Sequence, residues 1–100
     1  MARFDVHPMP GGGDGYVVNV QAELLSALAT RVVVPLLPKD AAPRPIGELN
    51  PRFEIAGRSC VLLTQALAAV PVRSLVRPVA SLAAEREAIT RALDLLLVGF

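Results

Sequence analysis

A chain with one histidine and one cysteine has little from which to build a catalytic centre. His7 and Cys60 are the only residues that could pair as base and nucleophile, and nothing local in the sequence links them. Cys60 sits in an apolar run, Ser59-Cys60-Val61-Leu62-Leu63, and reads as a small buried hydrophobe. Ser59 reads as a turn or strand-end hydroxyl, and His7, next to Pro8, as the surface end of a strand. Asp5, Asp14, Glu23, Asp40, Glu48 and Glu54 are scattered at spacings that make no metal motif. The run Gly11-Gly12-Gly13-Asp14-Gly15 could cradle a phosphate only between a strand and a helix, with a Lys or Ser/Thr at fixed spacing. A β-branched run, Tyr16-Val17-Val18-Asn19-Val20, follows instead, so the glycines read as a hairpin loop. With no acid–base pair to name, the residues predict a protein that is not an enzyme, holds no metal or cofactor, and works by binding.

Two apolar segments are then the candidates for contact. Leu24, Leu25 and Leu28 are spaced for one face of a helical turn, and pattern alone assigns them to the core. Coming just after a strand end, Leu24 and Leu25 could instead be presented to a partner. The second segment is Leu95-Leu96-Leu97-Val98-Gly99-Phe100, too apolar all round for a helix with one wet face, so something should cover it.

The elements that position these residues read as follows. Phe4 to His7 forms a first strand, the glycine loop returns into a second, and Arg31-Val32-Val33-Val34 is a strand covered on both faces and closed by Pro35. Five prolines from Pro35 to Pro51 exclude a long helix there, leaving a loop with a short strand near Ile46. Phe53-Glu54-Ile55 and Ser59 to Leu63 make a hairpin around Ala56-Gly57-Arg58. Gln65 to Ala69 is a helical turn, Val70-Pro71-Val72 is extended, and another short strand passes through Leu75-Val76. The last segment is a helix after Ser81, with Glu85 and Glu87 near its positive end and Ile89, Leu93, Leu96 and Phe100 at helical spacing. Glu87, Arg91 and Asp94 form its solvated face, with Glu87 four residues before Arg91.

The chain's 100 residues make one domain, residues 1–100. Its 10 Lys+Arg and 9 Asp+Glu leave a net charge of +1, with no basic cluster, which excludes nucleic-acid binding through phosphate neutralisation. Apolar residues other than Tyr, with the 7 Gly counted among them, make up 59 of the 100 residues, above the about 45–50% of an ordinary domain, which predicts an apolar surface buried against a partner or a second copy. A lone cysteine, no apolar run of membrane-spanning length and no leader-like apolar start predict a cytoplasmic protein that does not enter the membrane.

Three stretches, Asn19-Val20-Gln21-Ala22-Glu23-Leu24-Leu25 through Arg31-Val32-Val33-Val34-Pro35-Leu36, then Leu63 to Val72, then Val79-Ala80-Ser81-Leu82 to Val98-Gly99-Phe100, resemble the CcdB family in order and along nearly the whole chain. The resemblance implies a mainly β (α+β) fold, a twisted antiparallel SH3-like barrel with a small β-wing and one C-terminal helix, assembled as a homodimer. It implies the toxin of a bacterial toxin–antitoxin pair, which binds the DNA gyrase A subunit, traps the cleaved-DNA complex, and is neutralised by a CcdA-like antitoxin. Carried over residue by residue, the gyrase contacts fall on Leu24 and Leu25, on Arg91 and Asp94 where the family shows Asn, and on Val98, Gly99 and Phe100. The family has Trp where Val98 stands and Ile where Phe100 stands, and Val98 has no ring to stack on a cation. Two alternatives follow: a relative that binds antitoxin without poisoning gyrase, and a messenger-RNA interferase of similar fold, for which the scattered arginines and single His7 are a poor match.

Overall fold

The computed structural model describes residues 1–100. Seven strands are joined only by antiparallel pairing: β1 (Asp5–Pro8), β2 (Tyr16–Asn19), β3 (Thr30–Pro38), β4 (Arg52–Ile55), β5 (Arg58–Leu62), β6 (Ala68–Pro71) and β7 (Ala80–Ser81). The order is β4, β5, β3, β2, β1, β7, with β6 also on β3. One helix, α1 (Arg86–Leu97), follows. The sheet curls into a nearly closed SH3-like barrel, and the hairpin β4–β5 at its end is the small wing.

The nine-residue β3 organises the sheet. One side pairs with β2; the other serves β6 through Thr30 to Val33 and β5 through Leu36 to Pro38. Pro35, expected to close this strand, lies in its middle. Its carbonyl accepts from the Leu63 amide at 2.9 Å, and a strand residue's nitrogen and carbonyl point the same way. The missing N–H therefore faces the junction of β5 and β6, and the ladder to β2 loses no donor.

Both hairpin turns follow local chemistry. Ala56 and Gly57 have φ of 51° and 79°, the two positive values that let a two-residue turn match strand twist. Gly15 (φ +95°) passes so close to β3 that a Cβ there would lie 2.9 Å from the Leu36 carbonyl oxygen.

Alternation along the strands sends Val6, Val18, Val34, Leu36, Leu62 and Cys60 to one face, where they form the core with Phe53, Ile55, Leu82, and Ile89 and Leu93 of α1. His7, Val17, Val33 and Val61 are buried on the opposite face. His7 was expected at the surface, but the segment after β6 closes over it. Its Nδ1 lies 2.6 Å from the Val76 carbonyl, which can only accept, so Nδ1 carries the proton. Its Nε2 is buried without a partner.

That contact also explains why Leu75-Val76 is not a strand. A 3-10 turn at Val72–Ser74 precedes it, and Val76 spends its carbonyl on His7; the pairing with β1 falls later, at β7, which the sequence did not signal. Ile46 likewise forms no strand, because its amide donates to Asn50 Oδ1 at 2.9 Å and closes a small loop. The Ser81 hydroxyl accepts from the Ala83 amide at 3.2 Å and opens a 3-10 turn, Ala83–Glu85, so α1 begins at Arg86.

Candidate functional site: a partner-binding face

Leu24, Leu25 and Leu28 are exposed, against the core assignment that their spacing suggested, and Leu24 is 92% exposed. The reason is a polar frame that holds residues 22–30 off the barrel. The Asn19 side-chain oxygen accepts from the Gln21 amide at 3.1 Å, while Gln21 takes the Val32 amide on Oε1 and donates Nε2 to the Leu25 carbonyl. Beneath the loop, the buried Arg31 guanidinium donates to the carbonyls of Ser26, Leu28 and Thr30 at 2.7–2.9 Å. Every chain-turning carbonyl that Arg31 gathers is one that the leucines need not shield, so they are free to face outward.

Across from this lip runs α1. Ile89, Ala92 and Leu93 face the core, leaving Glu87, Arg91 and Asp94 exposed as the periodicity predicted. Arg91 pairs with Glu48 of the loop before β4 at 3.4 Å rather than with Glu87, and both partners are exposed. An exposed pair of this kind contributes at most about 1 kcal/mol and exchanges readily. At the helix end, the amides of Val98 and Gly99 both donate to the Asp94 carbonyl, at 2.8 and 3.0 Å. Gly99 takes φ +94°, so the chain leaves the helix axis there.

Two depressions meet on this face. A groove of about 530 Å³ between lip and helix is lined by Leu25, Leu28, Val32, Leu67, Asp94 and Leu97 among others. A more polar depression of about 360 Å³ is lined by Arg86, Glu87, Thr90, Arg91, Asp94 and Phe100. Thr90 and Asp94 belong to both. The structure therefore joins Leu25 with Asp94, and Asp94 with Arg91 and Phe100. Leu24 stands on the lip outside the groove, and Val98 and Gly99 are exposed at the helix end without lining either depression. Sequence reasoning missed Leu67 and Thr90; Leu97, within the apolar run that the sequence offered for contact, lies three residues after Asp94 on the same helical flank.

Elsewhere the chemistry is quiet. Burial pushes the Cys60 thiol above its ordinary value, away from the thiolate a nucleophile needs. A forked hydrogen bond from Arg58, 3.2 Å to each oxygen, holds the exposed Asp14 carboxyl below the usual carboxylate range. No group of three His, Cys, Asp or Glu side chains comes together, and no helix is long and apolar enough to cross a membrane.

A family model described as CcdB protein matches residues 3–99. Among solved structures, the chain is similar to the Mycobacterium tuberculosis toxin MazF-mt6, with a TM-score of 0.73 and 17% identity over 90% of this chain and 92% of that one. It is also similar to a crystal structure of an Mtb toxin, with a TM-score of 0.74 and 17% identity over 93% and 99% of the two chains. At that identity the likeness is one of fold. No curated protein sequence matches the chain significantly.

Proposed function

The chain belongs to the CcdB family, the toxins of toxin–antitoxin systems, and from that premise we propose that it is a homodimeric, non-enzymatic poison of DNA gyrase. In this reading it acts in the cytoplasm, binds the gyrase A subunit, traps the cleaved-DNA complex, and is neutralised by a CcdA-like antitoxin. The observation that carries it is the exposed face of lip and α1, where the groove joins Leu25 to Asp94 and the adjoining depression joins Asp94 to Arg91 and Phe100, with Leu24 exposed on the lip beside them.

Each part has a physical task. Full burial of a leucine contributes about 1.5–3 kcal/mol; Leu24, 92% exposed, has nearly all of that to gain against gyrase, and Leu25, 46% exposed, about half. Arg91 can leave Glu48 at little cost and turn to a partner carboxylate or carbonyl. Phe100, 87% exposed, supplies an aromatic face two residues beyond Val98, enough for a cation–π contact of about 0.5–2 kcal/mol.

Induced expression in a gyrase-bearing bacterium should arrest growth with DNA-damage signalling, and co-expression of a neighbouring small antitoxin gene should relieve it. High soluble expression without toxicity would remove the gyrase half and leave a protein that binds antitoxin alone. Cleavage of long RNA by the purified chain would favour an interferase instead.

A further inference from the structure

One guanidinium on the partner-binding face has a choice of carboxylates. Glu87 lies four residues before Arg91 on α1 and Asp94 three after it, the two spacings at which side chains on a helix meet, and an acid four residues ahead of a cation is the favoured order. Arg91 nonetheless bridges to Glu48, Nη1 to Oε2 at 3.4 Å, and the chain's other salt bridge joins Arg58 to Asp14. Glu87 and Asp94 are therefore left without a cation. Arg86, the second guanidinium beside the depression that holds Phe100, donates Nε to the Ala83 carbonyl at 3.4 Å in the turn before the helix.

Glu48 can compete with the helix's own acids because its backbone is already ordered. A loop carboxylate usually competes poorly, since fixing the loop costs conformational entropy. Here Glu48 sits in a 3-10 turn, Gly47–Leu49, whose flanks are stapled to the barrel by two buried polar side chains, Asn50 and Thr64. Asn50 accepts the Ile46 amide on Oδ1 at 2.9 Å and donates Nδ2 to the Leu62 carbonyl at 2.9 Å and to Gln65 Oε1 at 2.7 Å. The Thr64 hydroxyl donates to the Leu49 carbonyl at 2.6 Å. Between this turn and α1 lies a cleft of about 170 Å³ lined by Gly47, Glu48, Pro51, Ala88 and Arg91. Gly47 and Ala88 add little bulk to it, so the Arg91 side chain can lie across to Glu48.

We infer that Glu48 is a positioning residue of the partner-binding face: it holds Arg91 across the cleft, away from Glu87 and Asp94. This rests on the gyrase reading above and adds a residue to it. An Arg91 that lay on Asp94 would neutralise two contact positions at once, and a partner would have to break that pair before it could engage either. Held on Glu48, Arg91 leaves Asp94 unpaired beside Phe100 for a cation of the partner. Its own bridge, with both side chains more than half exposed, exchanges readily for a partner carboxylate. Glu48 lines neither the apolar groove nor the Phe100 depression, so its effect on binding passes through Arg91.

Glu48→Gln keeps the shape of the side chain and removes its charge. In calorimetry with the purified gyrase A subunit, E48Q should bind about threefold to fivefold more weakly than the unaltered chain, the scale of one exposed ion pair. Made on an R91Q background, the same substitution should change the affinity no further, because no guanidinium is left to release. The movement has a signature apart from binding: the Glu87 and Asp94 carboxyl carbon resonances should shift on E48Q, and should stay in place when E48Q is made on R91Q. If the unaltered chain binds gyrase but E48Q binds equally well, costs as much without Arg91 as with it, or leaves those resonances unmoved, Glu48 does not position Arg91 and the gyrase reading stands. If the unaltered chain does not bind the gyrase A subunit, the gyrase reading fails and the role of Glu48 with it.

Discussion

Removing Val98, Gly99 and Phe100 should silence the toxin without unfolding it. Phe100 is 87% exposed and Val98 59%, and full burial of a large apolar side chain contributes about 1.5–3 kcal/mol, so the buried fractions together contribute about 1 kcal/mol. The truncation also removes the two amides that converge on the Asp94 carbonyl, which frays the last turn of α1 but leaves the buried Ile89, Ala92 and Leu93 in place. In a domain of this size 1 kcal/mol moves Tm by about 4–8 °C. The expected result is a calorimetric Tm lowered by no more than that, antitoxin binding retained, and growth arrest abolished. A terminus plugged into a core, within the subunit or across the dimer, would instead cost about 3–5 kcal/mol on removal, as for a buried Phe cut to Ala, and lower Tm by about 15 °C or more. Such a fall, or a truncated protein that still kills, refutes the assignment of the terminus to contact. Val98→Trp should act in the opposite sense and increase toxicity by restoring a ring at that position.

Four further outcomes follow from the packing. Gly15→Ala should cost about 2 kcal/mol or more in urea unfolding, because the added Cβ meets the Leu36 carbonyl oxygen in a backbone conformation that disfavours a side chain. Leu93→Asp should leave no folded protein by circular dichroism, since it buries a carboxylate in the core without a partner. Arg31→Ala should cost about 2–4 kcal/mol through three lost charge-assisted hydrogen bonds, and under the proposed gyrase reading it should weaken that binding more than Leu24→Ala does, because the whole lip loosens. For Asp14, whose carboxyl is held below its ordinary value by Arg58, the stabilising contribution is present above the unfolded carboxylate pKa and fades as pH falls through the folded value. Arg58→Ala should therefore raise the Asp14 titration midpoint in carboxyl NMR, with no resolvable change in Tm at neutral pH.

Much of this protein was legible in local chemistry. The turn at Ala56-Gly57, the glycine loop, the alternation of Val6, Val18 and Val34, and the Ile89 and Leu93 stripe follow from dihedral preferences and periodicity, which depend on residues within a turn or a strand of one another. The resemblance along the chain carried the family and the barrel. What local pattern could not decide was which apolar residues find cover. Leu24, Leu25 and Leu28 have core spacing yet are exposed, because Arg31 and Gln21 satisfy the backbone of their loop at a distance from the barrel wall. His7 has the look of a strand end yet is fully buried, because a segment about seventy residues later lays the Val76 carbonyl on its ring. Pro35 reads as a stop yet lies mid-strand, because its missing donor faces the gap between β5 and β6. In each case the deciding partner is remote in sequence, and burial is a property of the assembled barrel that no single segment holds.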